Sequence, residues 1–403
     1  MRVLRVSHRW VSIVAGLLLL TITTSGSILL FEPEMRQLSH PSRFHVTPGA
    51  HPISPQTATS AAQHAYRRAG APTRVVRNRG VFEVALGDTP ETIVSVDPGN
   101  GHVLGATKPE RGVLGFLSNL HECGLSCEGY PGYVAALNKP MPDLGIQGID
   151  KITIGDFALG LIGVMLFGLV LSGIVLWWPG IRRWRRGFQV RSHKGRYARD
   201  YDLHKLIGIV ALPFLAMWAI TGMNFELPVV SKAVYGVMGA DPGPDPTMKS
   251  VVAKEGTPDI GIDRAIAAAR RLAGGGALTG ANLPDAQDQT STYLVWFAHG
   301  IDPVRNTDYA GMLGIGVDRH TGRAQALYGR LGRPLRQMLW SDWTTGAHYG
   351  MFVGWIARLL WLMFGIAPLL LAITGMSTWL YKRAKRRERK RRRRASVPAM
   401  PPL

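Results

Sequence analysis

The sequence predicts a mainly α-helical membrane protein: a four-helix transmembrane bundle built from an internal two-fold repeat, with two extracytoplasmic α+β modules. Three observations predict this fold class. Four apolar runs are long enough to cross a bilayer, basic charge is concentrated in the segments on one side of those runs, and the second half of the chain repeats landmarks of the first half.

The apolar runs cover residues 11–31, 156–178, 206–225 and 355–380 of the 403-residue chain. Each run has about the 20 residues that a helix needs to cross the hydrocarbon core. The first run is longer than the apolar part of a secretory signal and has no small-x-small cleavage site, so we interpret it as a retained helix. The sequence therefore predicts four spans.

The net charge of +20 has an uneven distribution. The N-terminal tip, residues 179–203 and the tail from Tyr381 together hold 22 of the 47 Lys and Arg but 3 of the 27 Asp and Glu. By the positive-inside rule, residues 1–10, 179–205 and 381–403 are expected in the cytoplasm, and residues 32–155 and 226–354 outside the cytoplasmic membrane.

The basic tail KRAKRRERKRRRR is most simply a topology anchor with a disordered end, and contact with anionic membrane lipid is the alternative. Its charge is not accompanied by an aromatic or Gly-rich recognition pattern, which argues against nucleic acid as a partner.

The two outer segments resemble each other. Each begins with a helix-like stretch, residues 54–70 and 261–275, and continues with strand-like sequence. A shift of 221 aligns Val96-Asp97 with Val317-Asp318, and each Asp is followed four residues later by a Gly. This pattern favours a hairpin in which the Asp forms the turn and does not bind a metal. Each outer segment therefore predicts one helix packed on a small antiparallel sheet.

The spans also repeat. A shift of 196 aligns His8 with His204 and Ser25-Gly26 with Thr221-Gly222, and a shift of 202 aligns Ser172-Gly173 with Thr374-Gly375. Eighteen residues separate His8 from Gly26, which is five helical turns and about 27 Å along a helix. Two further histidines, His121 and His348, precede the second and fourth spans.

Four histidines at the membrane surfaces have two interpretations. A single such His is most often an interfacial anchor or a capping residue. Two pairs placed by a repeat fit bis-imidazole ligation of two haem groups: an inner pair, His8 and His204, and an outer pair, His121 and His348. Gly173 and Gly375 would then flank the inner haem and Gly26 and Gly222 the outer haem, although close helix packing explains these glycines equally well. Without a Cys-x-x-Cys-His motif, the haem would be non-covalent haem b.

The chain uses one order of elements twice over nearly its whole length: a His-bearing span, an outer module, an outer His, and a return span ending in Gly and Trp. This order resembles that of the PepSY-associated transmembrane family. The second copy carries Leu203-His204-Lys205 and Ala347-His348-Tyr349-Gly350. The resemblance implies that the outer modules are PepSY-type domains, that the four histidines ligate two haems, and that the protein reduces a ferric chelate such as siderophore-iron on the outer face. The Cys-containing segment after His121 departs from the family pattern, as does the lack of a fused flavin or nicotinamide domain.

Fe(III) is held more tightly than Fe(II) by oxygen-rich chelators, so adding one electron releases the metal. The sequence has no GxGxxG or flavin signature, which implies a membrane quinol or a separate reductase as the electron donor. Arg9 and Lys205 adjoin the inner histidines, and Trp340, Trp343 and Tyr349 lie near an outer one; all five are candidates for haem propionate contacts or plain interfacial anchors.

Cys123 and Cys127 are expected to form a local disulfide on the oxidising side of the membrane. Two other functions compete with the reductase. One is a PepSY-type binding or regulatory membrane protein without redox activity. The other is a transporter, which is disfavoured because the middle of each predicted span has no Asp, Glu, Lys or Arg.

Overall fold

The computed structural model describes residues 1–48, 52–87, 91–108, 111–237, 247–254, 256–298, 312–328, 344–350 and 354–395. The chain forms two units. We call the first the helical unit (Met1–Thr24, Leu161–Ile220 and Leu362–Leu403) and the second the sheet unit (Ser25–Gly160 and Thr221–Trp361), and each is described by itself.

The described residues form ten α-helices of eight residues or more: α1 (Arg2–Leu29), α2 (Glu32–Ser39), α3 (Pro55–Ala65), α4 (Gly112–Glu122), α5 (Ile154–Trp177), α6 (Arg196–Glu226), α7 (Pro228–Val237), α8 (Ile262–Ala273), α9 (Gly354–Gly365) and α10 (Ala367–Ala395). Short 3₁₀ helices cover Pro41–Phe44, Arg67–Ala69, Ile149–Lys151, Ile181–Phe188 and Ser192–Lys194, and residues 344–349 are also helical.

Within the described chain, four helical segments are long and apolar enough to cross a membrane: Arg2–Leu29, Ile154–Trp177, Arg196–Glu226 and Trp355–Arg392. The prediction of four spans is confirmed at the level of length and composition. The fourth segment consists of α9 and α10, which meet at Ile366, just before Ala367-Pro368. A proline at the second position of a helix costs little, because the N–H that it lacks would have no partner there.

Small apolar side chains let the helices of the helical unit approach each other. Val170, Ala211, Leu215 and Ala367 are its buried core. Phe364 stacks on Phe214 with ring centroids 3.9 Å apart. The core therefore joins α5, α6 and the α9–α10 segment.

The basic tail differs from the expected disordered end. α10 continues without interruption through the charged sequence to Ala395. Lys, Arg, Glu and Ala are all good helix formers, so the sequence sustains a helix that emerges from the apolar segment. Residues 396–403 lie outside the described part of the chain.

The sheet unit contains one antiparallel sheet in the order β4-β3-β2-β1-β5-β6-β7-β8. Its strands are β1 (Pro72–Asn78), β2 (Val81–Leu86), β3 (Thr92–Val96), β4 (Val103–Thr107), β5 (Ala277–Asn282), β6 (Tyr293–Ala298), β7 (Met312–Val317) and β8 (Ala324–Tyr328). The expectation of two separate small sheets was wrong in this respect: the two modules share a single eight-stranded sheet.

The modules join where β1 pairs with β5, with Val75 opposite Ala281. Both side chains are buried, at 2% and 0% exposure. A Cβ on Gly280 would lie 2.7 Å from the backbone oxygen of Val75, so β5 can approach β1 only because this position is a glycine. Pairing satisfies the backbone groups that two separate sheets would leave at their edges.

Two helices, α3 and α8, pack on one face of the sheet and bury a shared apolar core that includes Ala58, Val84, Ala269 and Ile315. Each helix caps the other at its start. Asp263 of α8 accepts from the backbone N–H of Gln56 at 3.0 Å, and the Gln56 side chain accepts from the N–H of Ile262 at 3.1 Å. Each cap satisfies a backbone donor that has no partner within its own helix.

The two aspartates of the predicted hairpins form turns, as expected. Asp97 follows β3 and accepts from the backbone N–H groups of Gly99 at 2.9 Å and Thr47 at 3.0 Å. Asp318 follows β7 and accepts from the N–H groups of His320 and Thr321, both at 2.8 Å. A carboxylate whose oxygens accept several backbone bonds is a turn former, which agrees with the sequence pattern.

Candidate functional site

The inner histidine on α1 is held by a hydroxyl on α5. Nδ1 of His8 lies 2.7 Å from Oγ of Ser172, and that hydroxyl also lies 2.7 Å from the backbone oxygen of Gly168. Because the carbonyl can only accept, the hydroxyl hydrogen points to Gly168 and Nδ1 of His8 is the donor to Ser172. The next residue, Gly173, would place a Cβ 3.9 Å from Cε1 of the same ring.

The second inner histidine has the same arrangement with an additional bond. Nδ1 of His204 lies 3.0 Å from the backbone oxygen of Leu371 and 3.1 Å from Oγ1 of Thr374. A carbonyl cannot donate, so the ring hydrogen is on Nδ1 and the lone pair is on Nε2. Gly375 follows, and a Cβ there would be 3.3 Å from Cε1 of His204.

In the sheet unit, His121 is the penultimate residue of α4, and its ring lies against α1. Oγ of Ser25 is 3.2 Å from Nδ1 of His121. A Cβ on Gly26 would lie 2.5 Å from Cε1 and 2.9 Å from Nε2 of the ring. A real Cβ cannot approach so closely, so the imidazole occupies space that only glycine leaves open.

His348 is held in the same way from α6. Oγ1 of Thr221 is 2.7 Å from its Nδ1, and a Cβ on Gly222 would be 3.9 Å from its Cε1. The short helix that carries His348 is fixed by Trp361 of α9, whose indole Nε1–H donates to the backbone oxygen of Ala347 at 2.6 Å. Burial lowers the pKa of His348 to about 3, so its ring is neutral and can bind a metal at ordinary pH.

Each of the four histidines therefore contacts one Ser/Thr-Gly pair. The hydroxyl bonds Nδ1 and the glycine leaves room beside the ring. The sequence repeat reveals the four Ser/Thr-Gly pairs, but it predicts a role only for their glycines, beside a macrocycle. The structure brings these glycines against the imidazoles and adds four hydroxyls that contact Nδ1 of the rings, those of Ser25, Ser172, Thr221 and Thr374.

The outer rings have a separation suited to a metal between them. The ring centroids of His121 and His348 are 6.1 Å apart, with planes inclined by 49°. A metal ion lies about 2 Å from an imidazole nitrogen, which puts the centroids of two opposed ligand rings roughly 6 Å apart. The hydroxyls at Nδ1 orient both rings. Metal-binding histidines generally have such a hydrogen-bond partner at the ring nitrogen that does not bind the metal.

Comparison with known proteins places the chain in a family. The family model described as PepSY-associated TM region matches residues 5–382. The chain belongs to the PepSY-associated transmembrane family. The resemblance predicted from the sequence is confirmed.

The chain is also similar to a Pseudomonas aeruginosa protein described as uncharacterized. The two are 39% identical over 71 residues, which is 17% of this chain. The matched stretch spans 16% of the relative's length, so this similarity covers a short stretch of both proteins.

The residues of this PepSY-associated protein fit a haem better than a bare ion. The described residues contain no group of three or more His, Cys, Asp or Glu that could hold a metal. A site with two protein ligands suits a metal whose other ligands come with the cofactor, as the four nitrogens of a porphyrin do. Of the four glycines, Gly173 and Gly222 stand at ordinary contact distance from their imidazoles, with a Cβ at 3.9 Å, whereas the ring of His121 fills the space at Gly26.

The candidate propionate partners have different surroundings in the structure. Nε of Arg9 is buried and has no hydrogen-bond partner in the described chain, which is unusual for a guanidinium and fits an anion that completes its contacts. Its Cζ lies 5.5 Å from the ring centroid of Trp10. Lys205 lies with Nζ 5.9 Å from the ring centroid of Tyr201. Tyr349 is next to the outer pair, 5.7 Å from His348 between ring centroids, whereas Trp340 and Trp343 lie outside the described residues.

The predicted disulfide between Cys123 and Cys127 is present, with Cα atoms 5.6 Å apart. It closes the turn that follows His121 at the end of α4. Asn119, two residues before His121, is fully buried. Its side-chain amide donates to the backbone oxygen of Pro131 at 3.1 Å and accepts from the backbone N–H of Cys127 at 3.0 Å. The disulfide and Asn119 together fix the end of α4 from which His121 projects.

An ion pair within the sheet unit ties α2 to α9. Arg358 is 5% exposed and donates to both carboxylate oxygens of Glu34, at 2.7 and 2.6 Å, and to the backbone oxygen of Leu30 at 2.6 Å. Glu34 also pairs with Arg79 of the β1–β2 turn. A buried bidentate pair of this kind fixes geometry, because removing one partner leaves the other charge uncompensated.

Proposed function

We propose that the protein moves electrons across the cytoplasmic membrane through two bis-His haem b groups and reduces a ferric chelate, such as siderophore-iron, on the outer face. The observation that carries the proposal is the 6.1 Å separation of the His121 and His348 ring centroids. It is supported by the four Nδ1 contacts and by membership of the PepSY-associated family.

Haem, when bound, would supply a one-electron centre at each histidine pair, and two imidazole ligands would favour electron transfer over oxygen chemistry. The residues around it act on the ligands. Ser172 and Thr374 hold the inner imidazoles with Nε2 available for the metal, and Ser25 and Thr221 contact the outer ones. Rigid ligands limit the structural change that accompanies a change of charge.

The proposed direction of electron flow is from the inner histidine pair to the outer pair. The inner pair lies at the end of the spans that carries the basic loops, which the positive-inside rule assigns to the cytoplasm. A membrane quinol or a separate reductase would lose one electron there. One Fe(III) ion of the outer chelate would become Fe(II), which oxygen ligands hold more weakly.

The first test is the absorption spectrum of the detergent-purified protein, together with the His204→Ala and His348→Ala variants. We expect a Soret band in the parent protein and about half of its haem in each variant, because each change removes a ligand from one site. His193→Ala and His102→Ala, both at exposed positions, serve as matched controls. A protein without a Soret band, or variants with full haem and unchanged spectra, would overturn the haem proposal and leave a PepSY-type binding function.

The second test addresses the reductase step. The protein is reduced with dithionite, freed of excess reductant and mixed anaerobically with ferric citrate or a ferric siderophore. Reoxidation of the haem bands together with Fe(II) captured by ferrozine is the expected result. Bands that stay reduced with every ferric chelate would exclude ferric chelates as acceptors.

A further inference from the structure

The end of α10 is a basic helix with few partners. Residues 382–392 contain nine Lys or Arg and one Glu, and every one of them is exposed. Within this segment, the described structure contains one ion pair, between Arg392 and Glu388 at 2.6 Å. The outer segments are nearly neutral, so this helix is a local concentration of positive charge.

Like charges face each other along this helix. Lys382, Arg386 and Lys390 follow at intervals of four, as do Arg383, Arg387 and Arg391. Such i,i+4 pairs destabilise a helix by a few tenths of a kcal/mol each, roughly as much as opposite charges stabilise it. A partner with dense negative charge would remove this repulsion, so the helix is built to bind an acidic surface.

The first turn of the basic segment and the later turns differ in their contacts. Lys382, Arg383 and Lys385 lie over aromatic rings, with distances to the ring centroids of 5.4 Å to Tyr197, 5.2 Å to Trp379 and 5.2 Å to Tyr381. Aromatic rings of this kind mark the membrane interface. In the described structure, the basic residues from Arg386 to Arg391 contact no aromatic ring and no carboxylate.

The later turns extend past the lipid headgroups. Eleven residues of helix, 382–392, measure about 16 Å. A headgroup layer is roughly 5–7 Å thick. Because α10 is one continuous helix, the segment from Arg386 onwards projects into the aqueous phase, where a soluble partner meets it more readily than lipid does.

This helix begins close to the inner site. Gly375, which lies against His204, precedes Lys382 by seven residues, about 10 Å along the same helix. We propose that residues 386–392 form the docking surface for a soluble, acidic electron-carrier protein. On docking, the carrier is oxidised by one electron and the protein takes up that electron at the His8/His204 pair, with no bond made or broken. This inference rests on the proposed function.

The test compares two variants of the full-length protein in phosphatidylcholine nanodiscs. The first changes Arg386, Arg387, Lys390 and Arg391 to Gln, which keeps helix propensity and removes four charges. The matched control changes Arg182, Arg183, Arg185 and Arg186 to Gln, removing four charges from the exposed Ile181–Phe188 loop. The probe is a plant-type ferredoxin, an acidic one-electron carrier with a low potential.

Two readouts are measured at low salt: binding of fluorescently labelled ferredoxin by anisotropy, and the rate at which reduced ferredoxin reduces the haem bands. In the helix variant we expect both to fall about tenfold, with little change in the loop variant and no difference among the proteins at about 1 M salt. Reduction by the neutral quinol duroquinol should be the same in all three proteins.

Equal losses in both variants, or no loss in the helix variant, would overturn the proposal. A helix variant that loses affinity for phosphatidylglycerol vesicles but not for ferredoxin would also overturn it, and would make the segment a lipid anchor. If the protein contains no haem, the proposed function fails, while the anisotropy measurement still decides whether the docking surface exists.

Discussion

The imidazole of His121 occupies the space that a side chain at Gly26 would need. A Cβ at this position would lie 2.5 Å from Cε1 of the ring. Ser25, the preceding residue, meets Nδ1 of the same ring at 3.2 Å. One dipeptide of α1 therefore gives the imidazole both a polar contact and the space that it occupies.

Gly26→Ala should displace His121 and remove the haem of the outer site, because the ring must shift by more than a few tenths of an ångström. Gly16→Ala is the matched control on the same helix, since a Cβ there would meet nothing within 4 Å. The control should be neutral or slightly stabilising, as Ala is a better helix former than Gly by about 1 kcal/mol. Haem content per protein, measured as the pyridine haemochrome, checks both. Equal haem in the two variants would contradict the prediction.

Gly173 and Gly222 allow a test of a different kind. In each case a Cβ would meet its histidine at 3.9 Å, an ordinary contact, so the protein itself tolerates Ala at both positions. If a macrocycle lies in this space, Gly173→Ala and Gly222→Ala should each reduce haem content or shift the Soret band while thermal stability stays within about 0.5 kcal/mol of the parent. Unchanged spectra in both variants would favour helix packing as the reason for these glycines.

Thr221 and Thr374 should differ in how strongly they affect their histidines. Thr221→Val removes a hydroxyl 2.7 Å from Nδ1 of His348 and should weaken haem binding at the outer site about 10–100-fold. Thr374→Val should have a smaller effect, because the Leu371 oxygen still accepts from His204 at 3.0 Å.

Potentiometric titration of the haem bands checks the same pair of variants. The less basic ligand in Thr221→Val should raise the midpoint potential of the outer haem, and the inner potential should change less in Thr374→Val. A larger shift in Thr374→Val than in Thr221→Val would show that the Leu371 bond does not compensate.

Acid should destabilise the sheet unit through its turn aspartates. Burial alone would raise the pKa of Asp97 and Asp318, but hydrogen bonds from Thr47 and Gly99 in one case, and from Thr321, Val251 and His320 in the other, outweigh it and lower both pKa values. A lowered folded-state pKa gives stability that is present above the unfolded pKa of about 3.9 and is lost as pH falls through the folded pKa.

The measurement is the melting temperature between pH 7 and pH 2, obtained by differential scanning fluorimetry. Asp97→Asn should lower the melting temperature at pH 7 and show a smaller further decrease below pH 4 than the parent. Parallel pH curves for parent and variant would contradict the assignment.

The sequence predicts the parts of this fold that depend on local patterns. Span number follows from apolar length, and the hairpin turns follow from the spacing of Asp97 to Gly101 and Asp318 to Gly322. The disulfide follows from the spacing of Cys123 and Cys127. These features involve residues close together in the chain.

The sequence does not reveal the features that depend on contacts between residues far apart in the chain. β1 and β5 have weak strand patterns, PTRVVRN and ALTGAN, and they are the strands that unite the modules. The sequence shows the four hydroxyls only as part of a repeated Ser/Thr-Gly dipeptide. Residues near Ser172 in the chain do not indicate which imidazole its hydroxyl will contact. The charge of the tail favours disorder, whereas the helix propensity of its Lys, Arg, Glu and Ala residues extends α10 to Ala395.

The joint between β1 and β5 constrains how the protein can be divided. A chain cut between α5 and α6 would yield two halves, each with an unpaired strand, β1 or β5, at the open edge of a four-stranded sheet. Such edges recruit other chains. Either half made alone is therefore expected to self-associate through β1 or β5. When both halves are made together, β1 of one half is expected to pair with β5 of the other.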